Sequence, residues 1–311
     1  MTLQRQNVIK AAAEPAVSVS VCICTYKRPA MLKRLLEKLA EQETGGRFAF
    51  SIVIADNDRE ESARQVVSEF KATSSIPAIY CVQPQQNIAL TRNKALENAT
   101  GDFVAFIDDD EFPEKYWLAT LLHACEANKV DGVLGPVRPF FEEEPPAWLR
   151  RGRFCERPEH QTGSILGWRD TRTGNVLFRR CIIQDVPEPF RRELGNGGED
   201  QDFFRRMMAE GHRFAWCNEA VAYETVPPQR WKRGYLFKRA LLRGQNERHS
   251  LTMRSVAKSL IVVPIYLLLL PFLFLLGHHL FMGYAVKLLD HAGKLLGAVG
   301  IKPLGERYLN G

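Results

Sequence analysis

Short apolar segments alternate with amphipathic segments in the first third of the chain. The apolar runs are rich in β-branched and aromatic residues, and they predict buried strands at 17–24, 50–55, 78–83 and 103–107. The amphipathic segments repeat apolar residues at helical spacing, and they predict helices at 29–42, 60–70 and 89–98. Strands that alternate with helices are typical of a doubly wound α/β fold with a parallel sheet.

Acidic residues follow two of these strands directly. Asp56 and Asp58 come after the run 50–55, and four consecutive carboxylates occupy 108–111 after the run 103–107. Ligands of such sheets bind at the carboxyl ends of the strands. Four adjacent carboxylates repel one another, so the run predicts a cation with oxygen ligands, Mg²⁺ or Mn²⁺, that could hold a diphosphate. A solvated acidic turn remains the alternative.

The pattern becomes irregular from about residue 132. A further strand is predicted at 175–180, followed by a glycine-rich loop that opens a helix near Glu199 and by a short strand within 212–217. The sequence has no Walker A motif and no Gly-x-Gly-x-x-Gly after a strand. Metal rather than a glycine loop would therefore carry the phosphates.

One long apolar run distinguishes the C-terminal part. Residues 259–286 contain no Asp, Glu, Lys or Arg, and as one helix they would reach about 42 Å, more than the roughly 30 Å core of a bilayer. Pro264 and Pro271 interrupt the run and basic residues flank it on both sides, so a kinked or re-entrant hairpin in the cytoplasmic leaflet is favoured over a single tilted span. A buried core helix is the third possibility.

Charge is distributed unevenly along the 311 residues. Residues 1–229 hold 29 basic and 33 acidic residues, a net charge of −4, whereas 230–258 hold nine basic residues and one acid. Because this basic excess lies beside the apolar run, it predicts a membrane collar and no nucleic-acid partner. The seven cysteines include no Cys-x-x-Cys pair, which gives no sign of a disulfide framework or a zinc ribbon.

Seven segments in order carry a family resemblance: CTYKRP, IVIADND, NIALTRNKAL, GDFVAFIDDDEFP, LGPVRPFF, TGNVLFRR and GGEDQDFFRRM. The set resembles family 2 glycosyltransferases, the inverting nucleotide-sugar transferases of the GT-A fold, and is most similar to the bacterial exopolysaccharide glucosyltransferases of the succinoglycan type. The resemblance covers residues 17–245. It implies an α/β GT-A fold, a Rossmann-like and mostly parallel central sheet flanked by helices, with a C-terminal membrane-associated helical segment.

The expected organisation follows from this resemblance and from the charge pattern. We expect an N-terminal tail (1–16), a catalytic domain (17–229) with a nucleotide-binding half (17–131) and an acceptor half (132–229), a basic collar (230–258) and membrane-associated helices (259–311).

The resemblance implies a donor site on the first half. Thr25, Tyr26 and Asp56 match positions that hold a uracil-type base, with Asp56 accepting from the ring N–H. Arg28 and Arg92 match nucleotide-sugar contacts, Arg92 near the diphosphate. For Asp56 a cap on the next helix is the alternative, and for Arg92 a helix-surface position.

The acidic run matches the Asp-x-Asp motif of the family. The resemblance implies that Asp110 is a direct metal ligand, that Asp108 lies nearer the ribose and also reaches the metal, and that Asp109 orients both. Many family members carry a histidine after the base motif, and here Glu224 occupies the comparable stretch. Glu224 is therefore expected as the third metal ligand, in place of the histidine.

The resemblance places the general base at Asp200. It implies acceptor contacts at Glu199, Gly174 and Asn175, and Trp168 could stack on a sugar ring. First-turn acids favoured by the helix dipole are the alternative for these positions, and this interpretation is favoured for Asp202, the third candidate base. The Gln-x-x-Arg-Trp signature of processive members is reduced to Gln229-Arg230-Trp231, which predicts transfer of a single sugar. Arg230 could close over the diphosphate, but the collar is its favoured place.

Together these features predict an inverting, metal-dependent glycosyltransferase on the cytosolic face of a bacterial inner membrane. It would move a hexose from a nucleotide-diphosphate sugar, with UDP as the favoured nucleotide, to a lipid-linked saccharide used in surface polysaccharide synthesis. Other polysaccharide-assembly enzymes are expected as partners. The alternatives are transfer onto a polyprenyl phosphate, a nucleotidyltransferase, and a catalytically inactive membrane-tethered sensor of nucleotide sugars.

Overall fold

The computed structural model describes residues 17–195, 197–246 and 252–301. The predicted N-terminal tail and the last residues of the predicted membrane segment lie outside the described residues. The strands within the described ranges are β1 (Ser18–Thr25), β2 (Ala49–Asp56), β3 (Ala78–Val82), β4 (Phe103–Phe106), β5 (Glu111–Pro113), β6 (Gly132–Leu134), β7 (Val137–Phe140), β8 (Val176–Arg179), β9 (Phe214–Trp216) and β10 (Ala222–Thr225). The helices are α1 (Pro29–Ala40), α2 (Arg64–Thr73), α3 (Ile88–Glu97), α4 (Trp117–Ala127), α5 (Ala147–Arg151), α6 (Glu199–Ala209), α7 (Arg233–Asn246), α8 (Met253–Leu276) and α9 (His278–Ala298).

Seven strands form the central sheet in the order β3-β2-β1-β4-β8-β6-β9. Strands β1 to β4 are parallel, as the alternation of strands and helices predicts. Strand β8 runs antiparallel to β4 and β6, so the sheet is mostly and not wholly parallel, as the family resemblance implies. A strand that joins a sheet in parallel needs a crossover, usually a long helix, that returns the chain to the opposite end of the sheet. Between β7 and β8 the chain forms only the five-residue helix α5 and the short turn Trp168–Asp170.

Successive residues of β1 face the two sides of the sheet. Val21 and Ile23 belong to the apolar cluster that includes the leucines of α1, whereas Cys22 belongs to the cluster that includes Phe106 and the phenylalanines of α6. The sheet is therefore buried on both faces, as a sheet flanked by helices requires. This burial explains why the first strands read as continuous apolar runs.

A small second sheet, in the order β5-β10-β7, lies next to the acidic run. Strand β5 begins at Glu111, and its register pairs Glu111 with Glu224 of β10. The second sheet thus brings a residue from late in the chain beside the strand end of β4. Helix α2 begins at Arg64, four residues later than predicted at 60, because the turn before it is held by hydrogen bonds to Asp56.

The predicted membrane segment forms two antiparallel helices joined at Gly277. Helix α8 is the one helix of the described ranges that is long and apolar enough to cross a membrane, and it continues through Pro264 and Pro271. It is not a core helix, because Leu268 is 74% exposed and Leu275 is 83% exposed. Helix α9 packs against α8, where the Tyr266 and Tyr284 rings are 5.2 Å apart.

Helix α9 also packs along α7. Leu236 and Met282 share one apolar cluster, and the Arg243 Nε atom lies 2.9 Å from Asp290 Oδ1. The backbones approach closely at Gly244 and Gly293, where an added Cβ would lie 2.0 Å from the Asp290 carbonyl oxygen and 2.3 Å from that of Leu241. The basic helix α7 and the apolar helix α8 therefore flank α9.

Candidate active site

A cleft of about 320 Å³ opens at the carboxyl ends of β1 and β4. Strand β1 delivers Thr25 and Tyr26, the loop after β4 delivers the acidic run, and the loop before α6 closes one side. The residues that line the cleft are Cys24, Thr25, Tyr26, Arg28, Asn57, Gln86, Ile88, Thr91, Arg92, Asp108, Asp109, Asp110, Gly197, Glu199 and Glu224. The structure therefore brings together most of the predicted donor and metal residues.

Asp109 anchors the acidic run to β1. Its carboxylate accepts a hydrogen bond from Thr25 Oγ1 at 2.8 Å and one from Arg28 Nη1 at 3.0 Å. Burial raises the pKa of Asp109 to about 7, although the guanidinium of Arg28 opposes the shift. A carboxylate held from two sides by its own chain is suited to orienting its neighbours.

Arginine side chains neutralise the next acidic positions. Asp110 Oδ2 lies 3.2 Å from Arg28 Nη1 and 2.8 Å from Arg230 Nη2. Arg230 also donates to Glu224 Oε1 at 2.6 Å, and Arg157 donates to Glu224 Oε2. Burial alone would lower the pKa of Arg230, but the carboxylates of Asp110 and Glu224 outweigh it and raise that pKa.

Arg230 therefore lies in the site and not in the collar, where the sequence favoured it. It is 8% exposed, and the turn Pro228–Trp231 carries it under the carboxylates of Asp110 and Glu224. The collar prediction was wrong for this residue because these two carboxylates lie within hydrogen-bonding distance of its guanidinium, and a count of charges along the chain does not show which charges are close in space.

Glu111 is the most deeply buried member of the acidic run. It is 1% exposed, and its Oε1 atom has no hydrogen-bond partner among the described residues. Burial, together with the charge of Asp108, raises the pKa of Glu111 well above its usual value. An added Cβ at Gly174 would lie 2.7 Å from Glu111 Oε1 and 3.1 Å from Asp108 Oδ2, so only glycine fits there without displacing the acids.

Helix α6 begins at the edge of the cleft. Gly197 and Gly198 have φ values of +129° and +93°, which residues with a side chain rarely adopt, and they turn the chain into the helix. Glu199 is 4% exposed and forms an ion pair with Arg92, whose Nη2 atom lies 3.9 Å from Asp108 Oδ1. Arg92 is thus a buried residue of the site and not a helix-surface arginine.

Asp200, the expected base, occupies the next position of α6. It is half-buried, its Oδ1 atom accepts from the backbone N–H of Gln201 at 2.7 Å, and it does not line the cleft itself. Asp202 pairs instead with Arg205 and Arg206 of its own helix. Of the first-turn acids, Glu199 faces the donor side, and Asp200 lies beside it at the cleft's edge.

Asp56 is enclosed by its own loop. It is 0% exposed, and it accepts hydrogen bonds from the backbone N–H groups of Asp58 and Ala63 and from the Tyr80 hydroxyl. Its neighbour Asn57 lines the cleft in its place. Contact between Asp56 and a base remains a prediction, and it requires Tyr80 or the loop to move.

Asn175 supports the site from within the core. It is 0% exposed, its Oδ1 atom accepts from Trp117 Nε1 at 2.7 Å, and its amide donates to the carbonyl oxygens of Pro136 and Ala220. With these three hydrogen bonds made inside the protein, Asn175 does not face an acceptor, contrary to expectation. Its φ of +55° shapes the turn that brings Gly174 to the acids.

Trp168 does not line the cleft. It is half-buried in a turn, Trp168–Asp170, and the Arg169 guanidinium lies over its ring at 4.2 Å. The turn packs near α6, the helix that carries Asp200. Stacking of Trp168 on a sugar therefore remains a prediction about the rim of the site.

Two arginines near the site, Arg157 and Arg172, were missed by the sequence, and a third, Arg230, was assigned to the collar. Arg157 and Arg172 lie in the irregular half and have no motif around them, whereas Arg230 is marked only by the altered Gln-Arg-Trp segment. Burial and the nearby charge of Arg157 lower the pKa of Arg172, while Glu111 and Asp200 oppose that shift. The site thus contains a cationic set suited to phosphate oxygens.

The acids fit a divalent cation by their chemistry. Mg²⁺ and Mn²⁺ prefer oxygen ligands, and Asp108, Asp110, Glu111 and Glu224 supply only oxygen, of which Glu111 Oε1 is buried without a hydrogen-bond partner in the described part of the chain and lies 3.8 Å from Arg157 Nη1. Within the described ranges, however, no three His, Cys, Asp or Glu side chains are already arranged around one ion position. The arginines hold the carboxylates, so binding a cation requires Arg230 and Arg28 to release Asp110.

Comparison with sequence families gives a consistent result. The model for "Glycosyl transferase family 2" matches residues 20–186. The succinoglycan biosynthesis protein ExoM of Rhizobium meliloti is 37% identical over 73% of this chain and 73% of its own length. The glycosyltransferase AglE of Haloferax volcanii is 23% identical over 68% of this chain and 67% of its own length.

Solved structures show the same fold at low identity. Staphylococcus aureus TarS 1–349 in complex with UDP-GlcNAc aligns with a TM-score of 0.54 and 16% identity over 92% of this chain and 93% of that chain. A mannosyltransferase from Pyrobaculum calidifontis in complex with GDP-Man and Mn²⁺ aligns with a TM-score of 0.55 and 17% identity over 96% of this chain and 80% of that chain. The predicted GT-A fold is confirmed.

Proposed function

Because this chain belongs to glycosyltransferase family 2, we propose that it moves a hexose from a nucleotide-diphosphate sugar to a lipid-linked saccharide with inversion. One observation carries the proposal. The acidic run 108–110, the cations Arg28 and Arg92, and the start of α6 line a single cleft at the carboxyl ends of β1 and β4. A sugar diphosphate is the ligand that needs acids for a metal, cations for phosphate and a nearby base together.

We propose UDP as the nucleotide of the donor. Thr25, Tyr26 and Asn57 line the cleft and would contact the base, although the Thr25 hydroxyl already donates to Asp109 and the Asn57 amide to the carbonyl oxygens of Gln83 and Gln85. The TarS structures with UDP and UDP-GlcNAc support this choice through their shared fold. Arg92, and Arg28 or Arg230 once freed, would contact the diphosphate.

Asp108, Asp110 and Glu224 would hold the metal ion. When bound, Mg²⁺ or Mn²⁺ supplies positive charge that stabilises the departing diphosphate. Asp109 holds the loop in place through Thr25, and Gly174 leaves room for the acids. The mannosyltransferase complex with Mn²⁺ supports metal use in this fold.

Asp200 would act as the general base. Inversion needs one carboxylate that removes the proton of the acceptor hydroxyl as its oxygen attacks the anomeric carbon opposite the leaving diphosphate. Asp200 lies at the rim, one residue after Glu199 at the edge of the donor cleft, where an acceptor would enter. Glu199 and Arg92 form a buried ion pair that fixes this turn of α6.

The acceptor is proposed to be a lipid-linked saccharide of an exopolysaccharide. The relative of Rhizobium meliloti is named for succinoglycan biosynthesis, and α8 presents an exposed apolar surface that would keep the enzyme beside a lipid acceptor. We propose release after one sugar, because Gln229-Arg230-Trp231 lacks the spacing of processive enzymes. Other polysaccharide-assembly enzymes would act before and after it.

We propose that α8 lies along the cytosolic surface of the bacterial inner membrane. Helix α9 packs against both α8 and α7, and Lys238 and Arg239 of α7 are exposed. If α8 crossed the bilayer, these charges would be drawn towards hydrocarbon at about 3 kcal/mol each. An in-plane arrangement leaves α8 among the lipids and α7 facing the headgroups.

The Asp200→Asn variant tests the assignment. We expect loss of Mn²⁺-dependent transfer and hydrolysis of UDP-sugar by about 10³-fold, with UDP affinity unchanged, because the amide cannot accept the proton. Glu210→Gln, at the exposed C-terminal end of the same helix, is the control and should retain activity. Equal turnover by Asp200→Asn would remove this residue from the mechanism.

The same assay separates the other functions. A sensor would bind UDP-sugar without turning it over, in the parent protein as well as in the variant. A polyprenyl-phosphate transferase would use free polyprenyl phosphate in place of a lipid-linked saccharide. Product analysis with both acceptors distinguishes these outcomes from the proposed reaction.

A further inference from the structure

A second cavity, of about 470 Å³, lies where the turn Pro228–Trp231 meets α5 and the start of α7. Its lining residues are Pro146, Trp148, Pro228, Trp231, Lys232 and Arg233. We propose that this cavity binds the phosphate and first isoprene units of an isoprenyl-phosphate-linked acceptor. The proposal rests on the proposed function and names the part of the acceptor that the protein recognises outside the reaction cleft.

The lining combines an apolar wall with two cations. Trp148 and Trp231 present flat rings and Pro146 and Pro228 present apolar rings, whereas Lys232 and Arg233 are exposed beside them. Flat apolar walls suit an isoprenyl chain, and adjacent cations suit one phosphate head. A free sugar would gain little from either cation, and an inorganic phosphate would leave the aromatic wall unused.

One nitrogen atom in the cavity lining and a second behind Trp148 lack a hydrogen-bond partner. Among the described residues, the Trp231 Nε1 atom is buried with no hydrogen-bond acceptor, and so is Nε2 of His278. The His278 ring lies 5.3 Å from the Trp148 ring, so both nitrogens belong to the same corner of the molecule. A buried unpaired donor costs about 1–3 kcal/mol, and an anionic oxygen that reached it after a small movement would remove that cost.

The cavity also lies between the lipid-facing helix and the reaction cleft. Helix α8 ends at Leu276, which is 73% exposed, and the chain turns at Gly277 into His278 beside Trp148. On the other side, Trp231 directly follows Arg230, whose guanidinium binds Asp110 and Glu224. An acceptor with its lipid on α8 and its phosphate at Lys232 and Arg233 would therefore have its saccharide near the cleft.

The test uses the purified full-length protein in a neutral detergent. Farnesyl phosphate is titrated by calorimetry, in parallel with farnesol, inorganic phosphate and dihexanoyl phosphatidylglycerol. We expect farnesyl phosphate to bind at least about tenfold more tightly than each of the other three, because it alone satisfies both the isoprenyl wall and the cations.

Two variants locate the binding. Lys232→Gln/Arg233→Gln should weaken farnesyl phosphate binding by about tenfold or more. The control Lys238→Gln/Arg239→Gln removes the same charge from exposed positions of α7 outside the cavity and should bind as the parent does. Trp148→Ala should weaken farnesyl phosphate but leave any binding of inorganic phosphate unchanged.

Several outcomes would overturn the proposal. Equal losses in the two double variants would mean general attraction to a basic surface. Phosphatidylglycerol that binds as tightly as farnesyl phosphate would indicate a general lipid headgroup site, and equal binding of inorganic phosphate would indicate an anion site only. Titration of the same samples with UDP distinguishes failure of this site from failure of the proposed function. If the parent protein binds UDP but not farnesyl phosphate, only the proposed acceptor site is rejected. If the parent protein does not bind UDP, the proposed function is rejected.

Discussion

Asp108 and Asp110 differ from Asp109 in what holds them. Both Asp109 and Asp110 are buried, but Asp109 accepts from the Thr25 hydroxyl as well as from Arg28, whereas the carboxylate of Asp110 is held by arginine side chains alone. Asp108 keeps a side chain that is 42% exposed. Asp108 is therefore open to a ligand and Asp110 becomes so once its arginines move, whereas the middle aspartate stabilises the loop between them.

The metal role of Asp110 can be tested directly. We expect Asp110→Ala to weaken Mn²⁺-dependent UDP binding by about tenfold or more in calorimetry, because one charged oxygen ligand is lost. Binding of UDP without metal should change little or improve, since Arg28 and Arg230 each lose one of their two carboxylate partners. Asp185→Ala, an exposed aspartate outside the cleft, is the control. Unchanged affinity would show that the acidic run is a solvated turn.

Asn175 contributes to stability rather than to contact with a sugar. Asn175→Ala leaves Trp117 Nε1 and two backbone carbonyl groups without their hydrogen-bond partner in the core. We expect the free energy of unfolding to fall by about 3 kcal/mol in urea denaturation. Gln65→Ala, on the exposed face of α2, should change it by less than about 0.5 kcal/mol. If Asn175→Ala is as stable as the parent protein but has a higher KM for the acceptor, the predicted contact between Asn175 and the acceptor would be supported instead.

At the scale of elements, the site depends on where loops meet strand ends. The turn before β8 brings Gly174 against the acidic run, and the register of β5 with β10 brings Glu111 opposite Glu224. Neither pairing can be read from spacing in the sequence, because the two members lie more than sixty residues apart. The antiparallel entry of β8 is what places its preceding turn at the carboxyl end of β4.

Gly174→Ala tests this close approach. The new Cβ would displace the carboxylates of Glu111 and Asp108, so we expect Mn²⁺-dependent UDP affinity to fall by about tenfold, with near-native secondary structure by circular dichroism. Gly234→Ala, in α7 with open space around it, should leave UDP affinity as it is. If both variants bind UDP equally well, the acidic side chains adjust to the added methyl group, and the close approach of Gly174 to them does not affect UDP binding.

At the scale of the whole molecule, the C-terminal helices form a layered unit. Helix α7 packs on α9 and α9 packs on α8, so a basic helix and an apolar helix lie on opposite sides of one shared partner. The exposed leucines of α8 make the outer side of this unit apolar. If α8 lies in the membrane plane as we propose, this arrangement would orient the cleft relative to the lipid surface without requiring the chain to cross it.

Membrane attachment through α8 can be tested with the full chain. Leu268→Glu/Leu275→Glu places two charges on the two most exposed leucines of α8, and we expect it to shift most of the protein from the membrane to the soluble fraction in flotation. Lys238→Glu/Arg239→Glu on α7 should shift it less at physiological salt. The opposite order would show that the basic residues, and not the apolar helix, attach the protein.

The sequence by itself determined β1 to β4, β8 and β9, most helices, the acidic strand end and the apolar segment, whereas the short strands β5, β6, β7 and β10 were not predicted. It could do so because periodicity, strand-end acids and an uncharged run of 28 residues are local properties of the chain. The family resemblance added the GT-A fold, which the comparisons confirm.

Only the tertiary structure decided which charges meet. It buried Asp56 and Asn175 among their own partners, moved Arg230 from the expected collar into the site, and supplied Arg157 from a segment with no recognisable motif. These outcomes depend on contacts between residues far apart in the chain. Their energies come from desolvation and charge pairing, which are set by distance and burial in space rather than by order in sequence.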